Sequence, residues 1–389
     1  MRITFLVRNI WGIGGTIKTT LNTAEALAGL GHDVTIASCI RSKRKADFPV
    51  DKRVKVVNLW DTRKPEDGGE KLNFIERWQA KSKSVLDADK VNNMGESSKL
   101  LDVRVKKFLA RHDTDVVVGT QISVNLYMAM YGRPERYAMV AQEHLYLDHY
   151  AERHRELILE NYPKFDAIVT ITEADAKAYR EALPQAADKV TCVSNAIPAN
   201  PLPPSELTEP VIMTAGRLTG MKGFDILVHA FAQVADEFPE WKVKIFGRGR
   251  DRTKITNRIK DHGLEDRILL PGPKTPLDAE WQHASIAAIP SRFEPFGLVI
   301  VEAMAAGLPV VCTAVKHGPL EIVRDEENGL LVEPKNPTEL AGALRRLMGD
   351  PSLRRKLADA GRETAKRYEP QNVVGGHVDV FEKVLAARA

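Results

Sequence analysis

The sequence is poor in the features that mark unusual chains. Only three cysteines, Cys39, Cys192 and Cys312, occur in 389 residues, far apart and each at or near the end of an apolar run. They make no disulfide framework and are expected to be reduced, buried thiols of a cytoplasmic chain. Aromatic residues reach only 6%, and 56 Lys+Arg against 52 Asp+Glu leave a net charge of +4. With so small a bias and no stacking aromatics interleaved among the cations, a nucleic-acid partner is not expected. No window of about eighteen residues is apolar and free of charge, which excludes a helical membrane span. The run Ile3–Val7, closed by Arg8, is too short for the apolar core of a secretory leader, so none is expected. Short-period repeats and low-complexity tracts are absent too. What remains, 43% hydrophobic and 28% charged residues, is an ordinary folded chain, and at roughly 100–200 residues per domain its length fits two domains.

Short β-branched runs alternate with helical patterns. Ile3–Val7 precedes an amphipathic stretch from Thr16 to Leu30; Val34–Ala37, Val54–Leu59, Val116–Gly119, Tyr137–Gln142, Ala167–Thr172 and Val190–Val193 follow, with a charged helical segment at about 71–112. The runs are nearly all apolar rather than alternating, as expected for parallel strands covered by helices on both faces. The rhythm breaks at Pro198–Pro204, where four prolines in seven residues forbid a helix or a central strand. It restarts with Val211–Ala215, Val243–Phe246, Ile268–Leu270, Ile286–Ile289, Val310–Cys312 and Leu330–Val332. The expected fold is α/β: two Rossmann-like doubly wound domains, 1–197 and 205–370, joined by a linker at 198–204 and facing each other across a cleft. A last helix, about 371–389, carries an apolar stripe of Val373, Val374, His377, Val378, Phe381, Val384 and Leu385 and is expected to pack back on the N-terminal domain. Ligands of such sheets bind outside the carboxyl ends of the strands, so the loops there are the candidates for chemistry.

The first such loop, Gly12-Ile-Gly14-Gly15-Thr16, opens a helix whose amides and dipole make a natural anion cradle, with a plain tight turn as the alternative. A dinucleotide fingerprint would need a third glycine where Ile17 stands, and Ser38 and Cys39 offer no acid for a ribose, so a nicotinamide cofactor is not expected. In the second domain Val211–Ala215 runs into Gly216-Arg217-Leu-Thr-Gly-Met-Lys222-Gly223. Two cations in a glycine-rich turn before a helix suit a diphosphate leaving group, on which charge builds as the bond breaks. After Ile286–Ile289 come Glu294 and, eight residues later among Val301, Ala303 and Met304, Glu302. A core-facing carboxylate there needs a partner, and a ribose diol would serve. His144 ends another apolar run on the expected cleft side. Two apparent metal patterns fail. Asp87-Ala-Asp89 lies in a Lys-rich segment away from any strand end, and His144, His149 and His154, five apart, fall on different helix faces.

Glu294-x7-Glu302, Gly216-Arg217-x4-Lys222-Gly223 and the early Gly14-Gly15 turn together resemble the retaining glycosyltransferases of family 4 (glycosyl transferases group 1), which have the GT-B fold; the resemblance covers nearly the whole chain. It implies that Glu302 holds the donor ribose, that Glu294 touches the transferred sugar, and that Arg217 and Lys222 bind the diphosphate. Backbone amides near Gly14 and Gly15 and around Phe296, Gly297 and Leu298 would help. Gly216, Gly247 and Arg248 fall where the family places nucleotide contacts, and Pro273 where it holds the base. A histidine near His144 bonds the donor sugar in similar enzymes, although here Leu145 follows it where an aspartate is usual. The implied catalytic set is Arg217, Lys222, Glu294 and His144, with no metal or resident cofactor. UDP is the default base, with GDP and ADP open. With no carboxylate assignable beside the anomeric carbon, same-face attack assisted by the departing phosphate is expected. A nucleotide-sugar 2-epimerase or a non-catalytic sugar-nucleotide binder are the alternatives. Arg41, Lys43, Arg44, Lys45, Lys52, Arg53, Lys99, Arg104, Lys106, Lys107 and Arg111 make the first domain basic. This is either a solvated face or one that meets an anionic acceptor or an anionic membrane surface, with Lys18 as a candidate acceptor contact.

Overall fold

The computed structural model describes residues 1–87 and 97–388; Asp89 and the side chain of Asp87 lie outside the described residues. Two units are distinguished, Met1–Ala196 with Val373–Ala389, and Ile197–Asn372.

Unit 1 is built on seven strands: β1 (Arg2–Val7), β2 (Asp33–Arg41), β3 (Lys55–Asp61), β4 (Val116–Gly119), β5 (Ala138–Gln142), β6 (Ala167–Thr170) and β7 (Val190–Cys192). They form one sheet in the order β3-β2-β1-β4-β5-β6-β7, every pair parallel. Helices α1 (Gly15–Gly29), α2 (Phe74–Lys81), α3 (Lys99–Arg111), α4 (Ile122–Tyr131), α5 (Glu152–Asn161) and α6 (Glu173–Ala182) connect them. Strand side chains alternate between faces. Ile3, Phe5, Val7, Val116, Val118, Val140 and Val169 pack with Leu21, Ala24 and Leu27 of α1. Leu6, Val117, Met139 and Ile168 pack with Leu101 and Val105 of α3, Tyr127 of α4, Ile158 of α5 and Tyr179 of α6. Both faces are thereby covered, which is why the sequence runs are continuously apolar. β2 continues four residues past the expected Ala37, because Ile40 donates its N–H to the Arg8 carbonyl and Arg41 pairs in register with Asp61.

Unit 2 carries β8 (Val211–Ala215), β9 (Lys242–Phe246), β10 (Ile268–Gly272), β11 (Ile286–Ile289), β12 (Val310–Thr313) and β13 (Leu330–Val332), in the parallel order β10-β9-β8-β11-β12-β13. Its helices are α7 (Phe224–Ala232), α8 (Arg252–Asp261), α9 (Asp278–Gln282), α10 (Leu298–Ala305), α11 (Gly318–Ile322), α12 (Pro337–Gly349) and α13 (Pro351–Lys366), followed by α14 (Pro370–Ala386). Residues 193–210 hold no helix or strand.

Strand order reverses between β1 and β4 in unit 1 and between β8 and β11 in unit 2. At such a switch point the neighbouring connections leave on opposite sides and open a crevice at the carboxyl ends of the strands. The glycine turn after β1 and the loops after β8 and β11 lie at these two points. Several helices are closed by side chains: Ser98 accepts from the Leu101 amide at α3, Thr172 from Asp175 at α6, Asn336 from Glu339 at α12 and Asp350 from Leu353 at α13. Others, α4, α5 and α8 among them, have no side-chain cap, and of these α1, α7 and α10 begin on glycines, Gly14, Gly223 and Gly297.

From α14, Val373, Val374, Val380, Phe381 and Val384 enter the same core as α1; Val380 was absent from the stripe read in the sequence, and Val378 is only partly buried. Truncating a buried Phe removes its transfer free energy and leaves a cavity, at about 3–5 kcal/mol. Phe381→Ala should therefore lower the urea midpoint of the transition that reports unit 1, followed by circular dichroism, without shifting one that reports unit 2.

Candidate active site

In unit 2 the loops after β8 and β11 are fixed to each other. Gly223 adopts φ 64°, and a Cβ there would collide with the Pro290 carbonyl oxygen, so only glycine lets the two chains lie this close. The Arg292 amide donates to the Met221 carbonyl at 2.7 Å. Its guanidinium donates to the Gly220 carbonyl at 2.8 Å and, through two nitrogens, to both oxygens of Asp225 at 2.7 Å each. Burial alone would raise the Asp225 pKa, but the Arg292 bonds and charge hold it below the ordinary carboxylate range. This clamp sets the geometry of the residues on either side.

Glu294 sits between the clamp and α10 with its side chain only 8% exposed. Its Oε2 accepts from Lys222 Nζ at 2.6 Å and from Ser291 Oγ at 3.2 Å; Ser291 is itself tied down, since Thr313 Oγ1 donates to its carbonyl. A carboxylate this buried is tolerable because it is paired and hydrogen-bonded. Its charge, after burial, helps push the Cys312 thiol on β12 well above the usual range, leaving that cysteine unreactive. Arg217 differs from Lys222: it is exposed, and among the described residues its side chain forms no ion pair or hydrogen bond. The Gly216 amide donates to the Phe246 carbonyl at 2.9 Å, Leu218 to Arg248 at 3.0 Å and Gly247 to Gly272 at 3.0 Å. The ends of β8, β9 and β10 are therefore stitched together, with Arg248 and Pro273 on their exposed side.

Gly297, at φ 104°, turns the chain into α10. The first intrahelical bonds come from Ile300 and Val301 to the Gly297 carbonyl, so the amides of Leu298 and Val299 lie ahead of the ladder at the positive end of the helix dipole. Phe296 is buried, edge-on to Tyr368 with ring centroids 5.5 Å apart, and Gly318 presses on its backbone. Glu302 is half-buried on α10, one turn beyond Leu298 and on the same side of the helix.

Unit 1 holds the other predicted residues. Gly14 has φ 176°, extended backbone that any residue adopts, and a Cβ there would meet only Ile17 Cδ1 at 3.9 Å. The chain itself does not demand glycine at this position; the space above it is what a larger residue would fill. Gly15 is exposed, and Lys18 is half-buried one turn into α1. His144 follows β5 and is only 9% exposed. Burial first, then the neighbouring His377 charge, lower its pKa to about 4, against a counteracting contribution from Asn195. The imidazole is therefore neutral near pH 7, and its Nε2 has no hydrogen-bond partner. His377, also brought to about 4 by burial, lies 3.5 Å from the Gln142 amide nitrogen.

Sequence reasoning assigned no role to Glu143, Asn195, Ser291, Arg292 or Asp225. Glu143 is fully buried on the opposite side of the chain from His144 and accepts from Tyr150 Oη at 2.5 Å, Asn125 Nδ2 at 2.8 Å and Tyr162 Oη. The acid missing after His144 is thus not supplied by Glu143, which serves a tyrosine cluster instead. No group of three or more His, Cys, Asp or Glu able to hold a metal ion occurs among the described residues. Much of the basic face is engaged internally: Arg41 lies over Trp11 at 4.3 Å, Lys43 pairs with Asp47, Arg53 with Asp51 at 2.8 Å, and Arg104 with Glu70 and Glu76 at 2.6 and 2.9 Å. Lys106 lies over Tyr131 at 5.6 Å.

Residues 13–200 match the family described as Glycosyltransferase Family 4, and residues 202–364 match Glycosyl transferases group 1. The chain belongs to this family of glycosyltransferases. It is 32% identical over 393 residues to the exopolysaccharide phosphotransferase SCO2592 of Streptomyces coelicolor, a match covering 100% of this chain and 41% of that protein. It is 34% identical over 185 residues to the poly(glycerol-phosphate) alpha-glucosyltransferase of Bacillus subtilis, covering 48% of this chain and 27% of that one. The glycosyltransferase therefore spans less than half the length of these two relatives. The crystal structure of S. aureus TarM with fondaparinux, alpha-GlcNAc-glycerol and UDP superposes with TM-score 0.79 at 16% identity, covering 98% of this chain and 100% of that one; at that identity the likeness establishes the GT-B fold.

The buried acid gives a pH test. Burial raises the Glu143 pKa to about 7 even though Tyr150, Tyr162 and Asn125 act the other way. An acid raised in the folded state stabilises below its unfolded pKa, and that contribution is lost as pH rises through the folded value. His144 and His377, both lowered, act with the opposite sign between about pH 4 and 6.5. Glu143→Gln isolates the first effect. Relative to this variant, wild-type unit 1 should lose about 3 kcal/mol of stability between roughly pH 4.5 and 7 and then level off; parallel urea-stability curves across that range would refute the assignment.

Proposed function

We propose that this glycosyltransferase moves a hexose or N-acetylhexosamine from a UDP-sugar, with retained configuration and without a metal ion, to a hydroxyl of an anionic acceptor. The observation that carries the reading is the loop pair of unit 2, where Arg217 and Lys222 share a switch point with the uncapped start of α10, Glu294 and Glu302. That set has a group for each part of a nucleotide sugar. Glu302 accepts from the ribose diol, Arg217 and Lys222 face the diphosphate with the amides around Phe296, Gly297 and Leu298, and Glu294 meets the sugar hydroxyls. Gly216, Gly247, Arg248 and Pro273 border the nucleotide. Gly14 and Gly15 at the start of α1, with neutral His144 as a hydrogen-bond partner, are assigned to the donor from unit 1.

In the proposed reaction the bond from the anomeric carbon to the β-phosphate oxygen breaks as the acceptor oxygen bonds to the same face of the sugar. The acceptor proton passes to the departing phosphate, so a glycoside and a protonated nucleoside diphosphate result. Charge grows on the leaving phosphate, and preorganised cations stabilise it most where it is greatest. Support for UDP comes from the UDP-bound neighbour, and for a phosphate-bearing acceptor from the poly(glycerol-phosphate) relative together with Lys18 beside the α1 turn. A cytoplasmic site of action agrees with the buried thiols of Cys39 and Cys312, and peripheral contact with an anionic membrane would bring such an acceptor within reach. Incubation with donor alone separates transfer from 2-epimerisation, because an epimerase converts the sugar without an acceptor.

Arg217→Ala and Lys222→Ala should each lower kcat by about 10²–10³, the loss expected on removing one preorganised donor to a developing anion. Glu302→Ala should chiefly raise the donor KM, because ribose is held alike in the ground and transition states. Activity within about threefold of wild type for both cation variants would overturn the diphosphate assignment. Transfer measured in excess EDTA should continue at the full rate, with Arg217 and Lys222 supplying the charge a divalent ion provides elsewhere; complete loss restored by Mg²⁺ would refute the metal-independent reading.

A further inference from the structure

Helix α2 has no buried residue. Its large apolar side chains point to solvent: Phe74 is 87% exposed, Ile75 64% and Trp78 57%. The helix is nevertheless anchored by polar contacts. Asn73 and Glu76 form a reciprocal capping box, and Glu76 accepts from Arg104 at 2.9 Å, the same guanidinium that binds Glu70 and the Leu59 carbonyl. With about 100° between successive residues, Phe74, Ile75 and Trp78 occupy one arc and Glu76 lies well away from it, toward α3. Arg77 and Lys81 stand on one shoulder of the apolar arc. Lys99 lies over the Trp78 ring at 4.8 Å, and Lys71 and Lys83 are exposed at either end. The only acidic residue between Lys71 and Lys83 is Glu76, which is neutralised by Arg104.

We propose that α2 is an interfacial docking helix that inserts Phe74, Ile75 and Trp78 into an anionic bilayer surface while Lys71, Arg77, Lys81 and Lys99 meet the lipid phosphates. An apolar stripe that contributes nothing to the core, set in a ring of cations on a rigidly held helix, has the chemistry of an interface-seeking element. Bulky aromatics suit the headgroup boundary because their rings can sit in the apolar layer at its edge. The inference rests on the membrane contact proposed above and assigns it to apolar insertion by α2 rather than to the basic residues between β2 and β3 and further along α3.

Co-sedimentation of the full chain with vesicles of phosphatidylcholine, alone or with phosphatidylglycerol, at low and physiological salt tests it. Wild type should bind the anionic vesicles and retain binding at physiological salt, where purely electrostatic attachment weakens. The triple variant Phe74→Ser, Ile75→Ser, Trp78→Ser changes only exposed side chains and should keep its circular dichroism while losing affinity at least about tenfold. Trp78→Phe should abolish most of the blue shift in tryptophan emission on vesicle addition. Undiminished anionic binding by the triple variant, with loss on Lys52→Glu and Lys107→Glu, would overturn the role of α2 while leaving membrane contact intact. No wild-type binding to either vesicle would overturn both. Wild-type self-association abolished by the triple substitution, with vesicle binding unaffected, would assign the apolar face to a second copy and likewise overturn the proposal.

Discussion

A carboxylate almost out of reach of water stays charged only if it is paired or richly hydrogen-bonded, and in unit 2 this requirement connects residues far apart in sequence. Lys222 and Glu294 are 72 positions apart, and their 2.6 Å contact is possible only if the loops after β8 and β11 touch. Gly223 makes that approach sterically possible, and the fork of Arg292 on Asp225 keeps it in register. Removing one partner of such a pair strands the other as an uncompensated buried charge, typically worse than never having had the pair. The loop geometry and the electrostatics are therefore one constraint, and the residues assigned to the donor inherit their positions from it.

Unit 1 handles polar groups differently. Its buried histidines are kept neutral rather than paired, and its buried acid is surrounded by hydroxyls rather than cations. Tyr150 and Tyr162 are themselves pushed to higher pKa by burial, so they remain donors to Glu143 throughout the range in which it changes state. His144 thus offers unit 1 a hydrogen-bonding group without fixed charge, whereas unit 2 places Arg217 and Lys222 in the loop after β8.

The sheet strands and the switch-point loops were legible in the sequence because parallel strands covered on both faces leave unbroken apolar runs and glycine-rich turns fall directly after them. Glu294, Glu302, Arg217 and Lys222 stood out by spacing. The Arg292–Asp225 clamp did not, since its partners are 67 positions apart and neither residue type is unusual in a loop or a first helical turn. Glu143 drew no assignment from the sequence, because its three partners, Asn125, Tyr150 and Tyr162, come from different parts of the chain. The segment 71–112 read as charged and helical, which it is over α2 and α3, but composition could not say that the aromatics of α2 face outward. An amphipathic pattern gives a face its character and leaves open what covers it.

The core against one face of the unit 1 sheet includes Phe381 and its neighbours on α14, yet all of unit 2 intervenes between β7 and that helix. During synthesis the sheet of unit 1 is complete in sequence long before its last covering element exists, so Phe5, Val7, Val118 and Val140 must wait beside α1 with part of their face unshielded. Unit 2, whose elements are continuous, faces no such delay. The nascent chain thus contains a domain that can finish early although it starts late, and an earlier one whose sheet is most exposed to aggregation in the interval.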